Sequence, residues 1–305
     1  MRAFFKNSEK RGTIACPYEI WYDKYRVYEW QKEMLFTFST EECFTIIDAH
    51  AHIFPARIAK KAADSIGGFY SIPTAHDGSS EELLASGKEA GISRFLVCSS
   101  ATAPEQAVAI NTFLAEECAA HGEFIGFGAL HPGLSLHEVE EQLAFMERSG
   151  FHGVKLHPDF QRFNIDDRRM YPLYERIEGR FPILMHMGDD RYDYSSPLRL
   201  ERMLRDFPRL CVIAAHLGGY RRWEEAKSCH FGENVRFDAS SSVRFLPPED
   251  ARELILHYGT ERVFWGSDYP MWDPGEDVRR FLSLGFSERE YAGMLAGNLK
   301  EFLNL

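Results

Sequence analysis

The chain has 305 residues, 45% of them hydrophobic, and a formal net charge of −11. That acidity argues against nucleic acid or an anionic membrane as the main partner and points to a small-molecule substrate. No apolar run approaches the roughly 18 residues of a membrane span, and the opening Met1-Arg-Ala-Phe-Phe-Lys-Asn-Ser-Glu-Lys10 lacks a secretory core, so a cytoplasmic protein is expected.

Residues 1–43 are dense in aromatics, among them Tyr18, Trp21, Tyr22, Tyr25, Tyr28 and Trp30. Aromatics at this density seek a dry partner, so this N-terminal extension is expected to pack on the rest of the chain or on a second copy in a homo-oligomer. Residues 44–305 form the main domain. Its first strand, 44–49, leads into His50-Ala51-His52, and strand alternation puts both imidazoles on one face, close enough to share an ion. Further strands are expected at 93–98, 124–130, 152–157, 181–186, 210–216, 234–238 and 262–268. Helical patterns fill 80–90, 104–121, 135–149, 170–178, 198–206, 248–258 and 277–284. Gly91, Gly122, Gly150 and Gly259 follow four of these helices as stop signals. Eight strands alternating with helices predict an α/β fold, a TIM-like (β/α)8 barrel. The six scattered cysteines, with no C-x-x-C pair, read as reduced thiols.

Four of the apolar strands run into a metal-competent side chain: the His50/His52 pair, His186, His216 and Asp268. In such barrels the strand ends build the catalytic face. A buried imidazole taken singly is more often a satisfied core group. Four strand ends of this kind together favour a metal site.

The motifs Ile47-Asp-Ala-His-Ala-His-Ile-Phe-Pro55, Gly153-Val-Lys-Leu-His-Pro158, Leu184-Met-His-Met-Gly188, Ala215-His-Leu-Gly-Gly219, Trp265-Gly-Ser-Asp-Tyr-Pro270 and Ala296-Gly-Asn-Leu-Lys300 resemble the amidohydrolase superfamily. The resemblance is to the branch that includes aminocarboxymuconate-semialdehyde decarboxylase and covers residues 45–303. It implies that His50, His52, His186 and Asp268 bind one divalent ion, zinc by preference. It also implies that Asp268 handles protons and that His216 stands beside a metal-bound water. Three neutral imidazoles and a carboxylate suit such an ion. A fourth-strand lysine is carbamylated in some relatives; Lys155 is read here as unmodified, pairing with a carboxylate such as Asp48. His157 either lines the pocket or caps its strand. The loops after the strands offer Phe69-Tyr70 with His76, Arg191 and Tyr192, Arg221, and Trp272, with arginine suited to a carboxylated substrate.

The resulting expectation is a metal-dependent hydrolase of an amide, ester or lactone, acting through a metal-activated water. The alternative is a non-oxidative decarboxylase of an unsaturated or aromatic acid at the same site. Several aromatic-acid decarboxylases of the branch carry glutamate where His50 stands, which inclines the expectation to hydrolysis. A non-catalytic barrel would be expected to have lost a ligand, and none is lost.

Overall fold

The computed structural model describes residues 45–305, so the expected packing of residues 1–43 lies outside the described residues. Eight parallel strands follow one another in chain order: β1 (Ile47–His52), β2 (Arg94–Cys98), β3 (Phe124–Ala129), β4 (Gly153–Leu156), β5 (Ile183–Met185), β6 (Val212–Ala214), β7 (Val235–Asp238) and β8 (Val263–Phe264). The segment at and beyond β8 returns to β1 through Ala49 N to Trp265 O (3.0 Å), Asp268 N to His50 O (2.8 Å) and His52 N to Tyr269 O (2.7 Å). These bonds join the two ends of the sheet into the expected barrel.

Two apolar layers hold it. Leu96, Cys98, Ile125, Phe127, Leu184, Ile213 and Phe264 form an inner cluster, while Phe95, Val97, Ile183, Met185, Val212 and Val263 belong to the cluster packed under the helices. Strand alternation sorts them, and each fully buried Leu, Ile or Phe contributes roughly 1.5–3 kcal/mol. Helix starts follow the sequence signals. Ser135 and Glu138 form a capping box at Leu136–Arg148, and Asp273 accepts from Glu276 N at Pro274–Leu282.

Two local departures from the sequence reading shape the site. The first strand begins and ends three residues later than expected, and its register against β2 shifts between Asp48 and Ala51. Ile47 and Ala49 belong to the inner cluster whereas Ala51 and Ile53 join the outer one, so the shift changes parity and turns His50 and His52 into the barrel. Asp48 holds this stretch, accepting from His50 N (3.0 Å) and Ser267 N (2.8 Å). The second departure is the helix Ala59–Tyr70 in the first loop, whose buried residues Ala59, Ala63 and Gly67 recur every four positions. Gly67 and Gly68 weaken its propensity, yet Gly67 is needed because a Cβ there would lie 2.6 Å from Ile72 O.

Candidate metal centre

At the C-terminal ends of the strands, His50 Nε2 lies 3.1 Å from His52 Nε2 and 3.8 Å from Asp268 Oδ1, and His52 Nε2 lies 3.6 Å from the same oxygen. One ligand atom each from His50, His216 and Asp268 falls within 4.8 Å of the others. The far nitrogens of these rings are committed elsewhere. His50 Nδ1 meets Asp238 Oδ2 at 3.1 Å, and His216 Nδ1 meets the Ser240 carbonyl at 3.1 Å. Both partners accept, so each ring carries its hydrogen at Nδ1 and turns a bare Nε2 lone pair inward. His216 Nε2 then faces His186 Nδ1 at 3.0 Å, and His186 Nε2 is in turn directed at the Gly188 carbonyl at 3.1 Å.

Converging lone pairs repel unless a cation lies among them. The edge of a tetrahedron with zinc-to-nitrogen bonds of 2.0–2.1 Å is about 3.3 Å, and the separations among His50, His52 and Asp268 bracket that value. Burial holds the imidazoles of His50, His52 and His186 well below their ordinary range and brings His216 down to about 4, so all are neutral at pH 7, as ligands must be. Burial also pushes the Asp268 carboxyl up to about 7, against the opposing hydrogen bond from Ser241. These donors fit a divalent ion. Cys98 also has its sulfur within 4.8 Å of ligand atoms of His50 and His52, but Sγ meets His52 at Nδ1 (3.6 Å), not at the Nε2 that faces Asp268, and donates toward the Ala51 carbonyl (3.6 Å).

The backbone around the site is held in unusual conformations. His216, Ser241 and Asp268 all adopt left-handed φ values of 58°, 60° and 63°. Non-glycine residues rarely do so, and such outliers concentrate at functional sites. Gly188, at φ 80°, lets the loop after β5 press on the loop after β6, where a Cβ would lie 2.5 Å from Tyr220 N.

Lys155 is fully buried and points at the same centre, with Nζ 3.0 Å from His50 Nε2; the carboxylates that act on its charge are Asp238 and Asp268, while the expected partner Asp48 is engaged by His50 N and Ser267. Burial lowers the pKa of its ammonium. On the side of β4 and β5, His157 stacks on His186 with centroids 3.9 Å apart and planes 9° apart, and Phe160 stacks on the other face of His157 at 3.7 Å. Asp159 is buried nearby, accepts from Ser195 Oγ, and has its carboxyl pushed up to about 7 by burial.

Above the histidines opens a pocket that is open to solvent, walled by Ile66, Tyr70, Ile72, Phe160, Tyr220, Phe245, Met271 and Trp272 and floored by His52, His157, His186, His216, Ser241 and Asp268. No lysine or arginine is among the described residues lining it. Of the residues expected to bind substrate, His157 and Trp272 line the cavity, whereas Lys155, Arg191, Tyr192 and Arg221 do not. Arg191 is engaged by Asp189, with Nη2 2.7 Å from Oδ2 and Nε 3.0 Å from Oδ1, and stacks over Phe69. It straps the fifth loop to the first. Arg221 lies over Phe245 and donates to Tyr220 Oη. Trp272 Nε1 donates to Ser241 Oγ (2.8 Å), which donates to Asp268 Oδ2 (2.6 Å), leaving Oδ1 to face the histidines. Asp238 and Ser241 escaped the sequence reading, although Asp238 ends the seventh strand as plainly as His186 follows the fifth.

The family model described as amidohydrolase matches residues 47–305, and the chain belongs to this family. A 2-amino-3-carboxymuconate-6-semialdehyde decarboxylase from Dictyostelium discoideum is 25% identical over 223 residues, 60% of this chain and 61% of that protein. The chain thus matches about three fifths of the length of this curated relative. A dihydroxybenzoic acid decarboxylase from Polaromonas, solved with manganese and 2-nitroresorcinol, superposes with a TM-score of 0.68 at 16% identity, covering 86% of this chain and 98% of the other. A Pseudomonas putida barrel named for 2-pyrone-4,6-dicarboxylic acid hydrolysis gives 0.60 at 22% identity, covering 86% and 98%. Among the described residues no helix is long and apolar enough to cross a membrane.

Proposed function

We propose that this protein is a divalent-metal-dependent decarboxylase that removes carbon dioxide non-oxidatively from a planar, unsaturated or aromatic carboxylic acid. The observation that carries the proposal is the cavity: rings of Tyr70, Phe160, Tyr220, Phe245 and Trp272 above a floor of imidazoles and Asp268, with no cationic side chain among the described residues that line it. Such walls suit a flat ring, and a single carboxylate has a place only at the floor. This reverses the preference for hydrolysis drawn from His50. Hydrolysis of a lactone, suggested by the Pseudomonas barrel's name, is the second reading, but a dicarboxylate would leave one carboxylate without a cation.

In this reading His50, His52, His186 and Asp268 hold the ion, with His216 beside them, and the three imidazoles make zinc the preferred metal. The ion, when bound, neutralises the substrate carboxylate and polarises its neighbours. The aromatic walls fix the ring plane and exclude water. As the bond from ring carbon to carboxylate breaks, its electron pair stays on the ring carbon, which takes a proton that Asp268 has picked up from solvent at Oδ2, while carbon dioxide leaves. Ser241 holds Oδ2 during this transfer, and solvent returns the proton afterwards.

The test is a panel of planar unsaturated acids and lactones given to the zinc- or manganese-loaded protein, scored separately for carbon dioxide and for hydrolysis products. Carbon dioxide from at least one acid is expected, with Asp268→Asn slowing its release by roughly a hundredfold or more. Ring-opened product without carbon dioxide would replace this reading with the hydrolytic one.

A further inference from the structure

His157 accepts from Phe160 N at Nδ1 (3.3 Å), which puts its hydrogen on Nε2, and its backbone N donates to Gln161 Oε1 (3.0 Å). Its ring is clamped between Phe160 and His186. An imidazole fixed on both faces and at one nitrogen has a single direction left in which to act: Nε2 faces Tyr70 Oη at 3.2 Å. Tyr70 Oη also lies 3.4 Å from His186 Nε2, whose hydrogen is directed at the Gly188 carbonyl. Both nitrogens facing the phenol therefore carry hydrogens. The phenol oxygen accepts, and its own hydrogen is left for the cavity that Tyr70 lines.

The stack also removes the competing reading of this corner as a second ion site, although His157, Asp159 and His186 have ligand atoms within 4.8 Å of one another. An imidazole binds a metal in its ring plane, and two nearly parallel stacked rings with centroids 3.9 Å apart share no such point.

We infer that Tyr70, oriented by His157, is a specificity-determining hydrogen-bond donor that recognises an oxygen substituent on the substrate ring. The inference rests on the proposed planar acid. Tyr70 belongs to the helix Ala59–Tyr70 that follows β1, and His157 follows β4, so the pair ties a first-loop element to the β4 side of the site. Tyr70 is then the group that touches substrate, and His157 a positioning residue. A site built to satisfy a ring oxygen discriminates against the analogue that lacks it, because the phenol is otherwise left without an acceptor.

Calorimetric titration of the metal-loaded full chain with benzoate and with 2-, 3- and 4-hydroxybenzoate tests this. In the wild type at least one hydroxybenzoate is expected to bind about tenfold tighter than benzoate. Tyr70→Phe should reduce that preference to about twofold or less, through weaker hydroxybenzoate binding and benzoate binding that is equal or tighter. His157→Ala should do the same in part, and His157→Gln, which restores an N–H donor, should recover it. A wild type with no preference for any hydroxybenzoate, or a preference that survives Tyr70→Phe in a normally melting protein, overturns the inference while the decarboxylase reading stands. Failure of all four acids to bind the wild type overturns the planar-acid reading and this inference with it.

Discussion

Two clusters of similar composition lie side by side at the strand ends, and only one is arranged to hold an ion. Around β1, β6 and β8 the lone pairs of His50, His52 and His216 turn toward one another and toward Asp268, because Asp238 and the Ser240 carbonyl take the hydrogens on the far nitrogens of His50 and His216. Around β4 and β5, His157, Asp159 and His186 are as close to one another, but the two rings lie face to face. Proximity of donors does not make a metal site; the partners that orient their lone pairs do. His186 belongs to both neighbourhoods, offering Nδ1 to His216 and its face to His157.

The largest expected effect separates the two clusters outright. His50→Ala with His52→Ala should abolish metal, measured by elemental analysis of the purified protein after metal loading. His157→Ala with Asp159→Asn should leave about one ion per chain. Equal losses in both variants would erase the distinction, and about two ions per wild-type chain would favour a carbamylated Lys155 over the unmodified lysine.

Orientation can be attacked without touching a ligand. Asp238→Asn keeps the shape of the group that faces His50 Nδ1 but removes its charge and leaves the imidazole tautomer undetermined. Changes of this kind typically cost 10–100-fold in metal affinity, and a competition titration against a chelator should show a loss in that range. Affinity unchanged within about twofold would mean that the lone-pair direction at His50 is set by something other than Asp238.

How much of this was readable beforehand depends on whether a residue's chemistry or its neighbours decide its role. The barrel, the strand-end histidines and Asp268 were legible, because apolar runs closed by ligand-type side chains carry their meaning in residue type and period. That His50 and His52 share a face was legible from strand alternation, but that this face turns into the barrel was not. It depends on a register shift pinned by Asp48 and Ser267, which are distant in sequence. The stacking that sets His157 apart depends on Phe160 three residues later and on His186 from another strand. Arg191 could have been read better. Asp189 stands two residues before it in the same loop, and that local pair occupies the guanidinium before any substrate arrives.

The smallest effect concerns protons, and it sharpens the contrast because only the converging cluster should show it. The Asp268 carboxyl is raised by burial from an ordinary value near 3.8 to about 7, so below pH 7 the metal-free site is largely protonated there. Binding an ion at Oδ1 must then release that proton, and apparent affinity should fall by up to about tenfold for each pH unit below 7 while staying nearly flat just above it. The imidazoles add little to this slope near neutrality, since burial holds His50, His52 and His186 well below their ordinary range and His216 near 4. Asp268→Asn has no such proton to release, and its affinity, though weaker, should be nearly independent of pH between 6 and 7. Metal titrations of the wild type and this variant at pH 6.0, 6.5, 7.0 and 7.5 decide it. Parallel slopes in the two proteins would place the displaced proton on another group, with His52, which faces Asp268 Oδ1 at 3.6 Å, the first to examine.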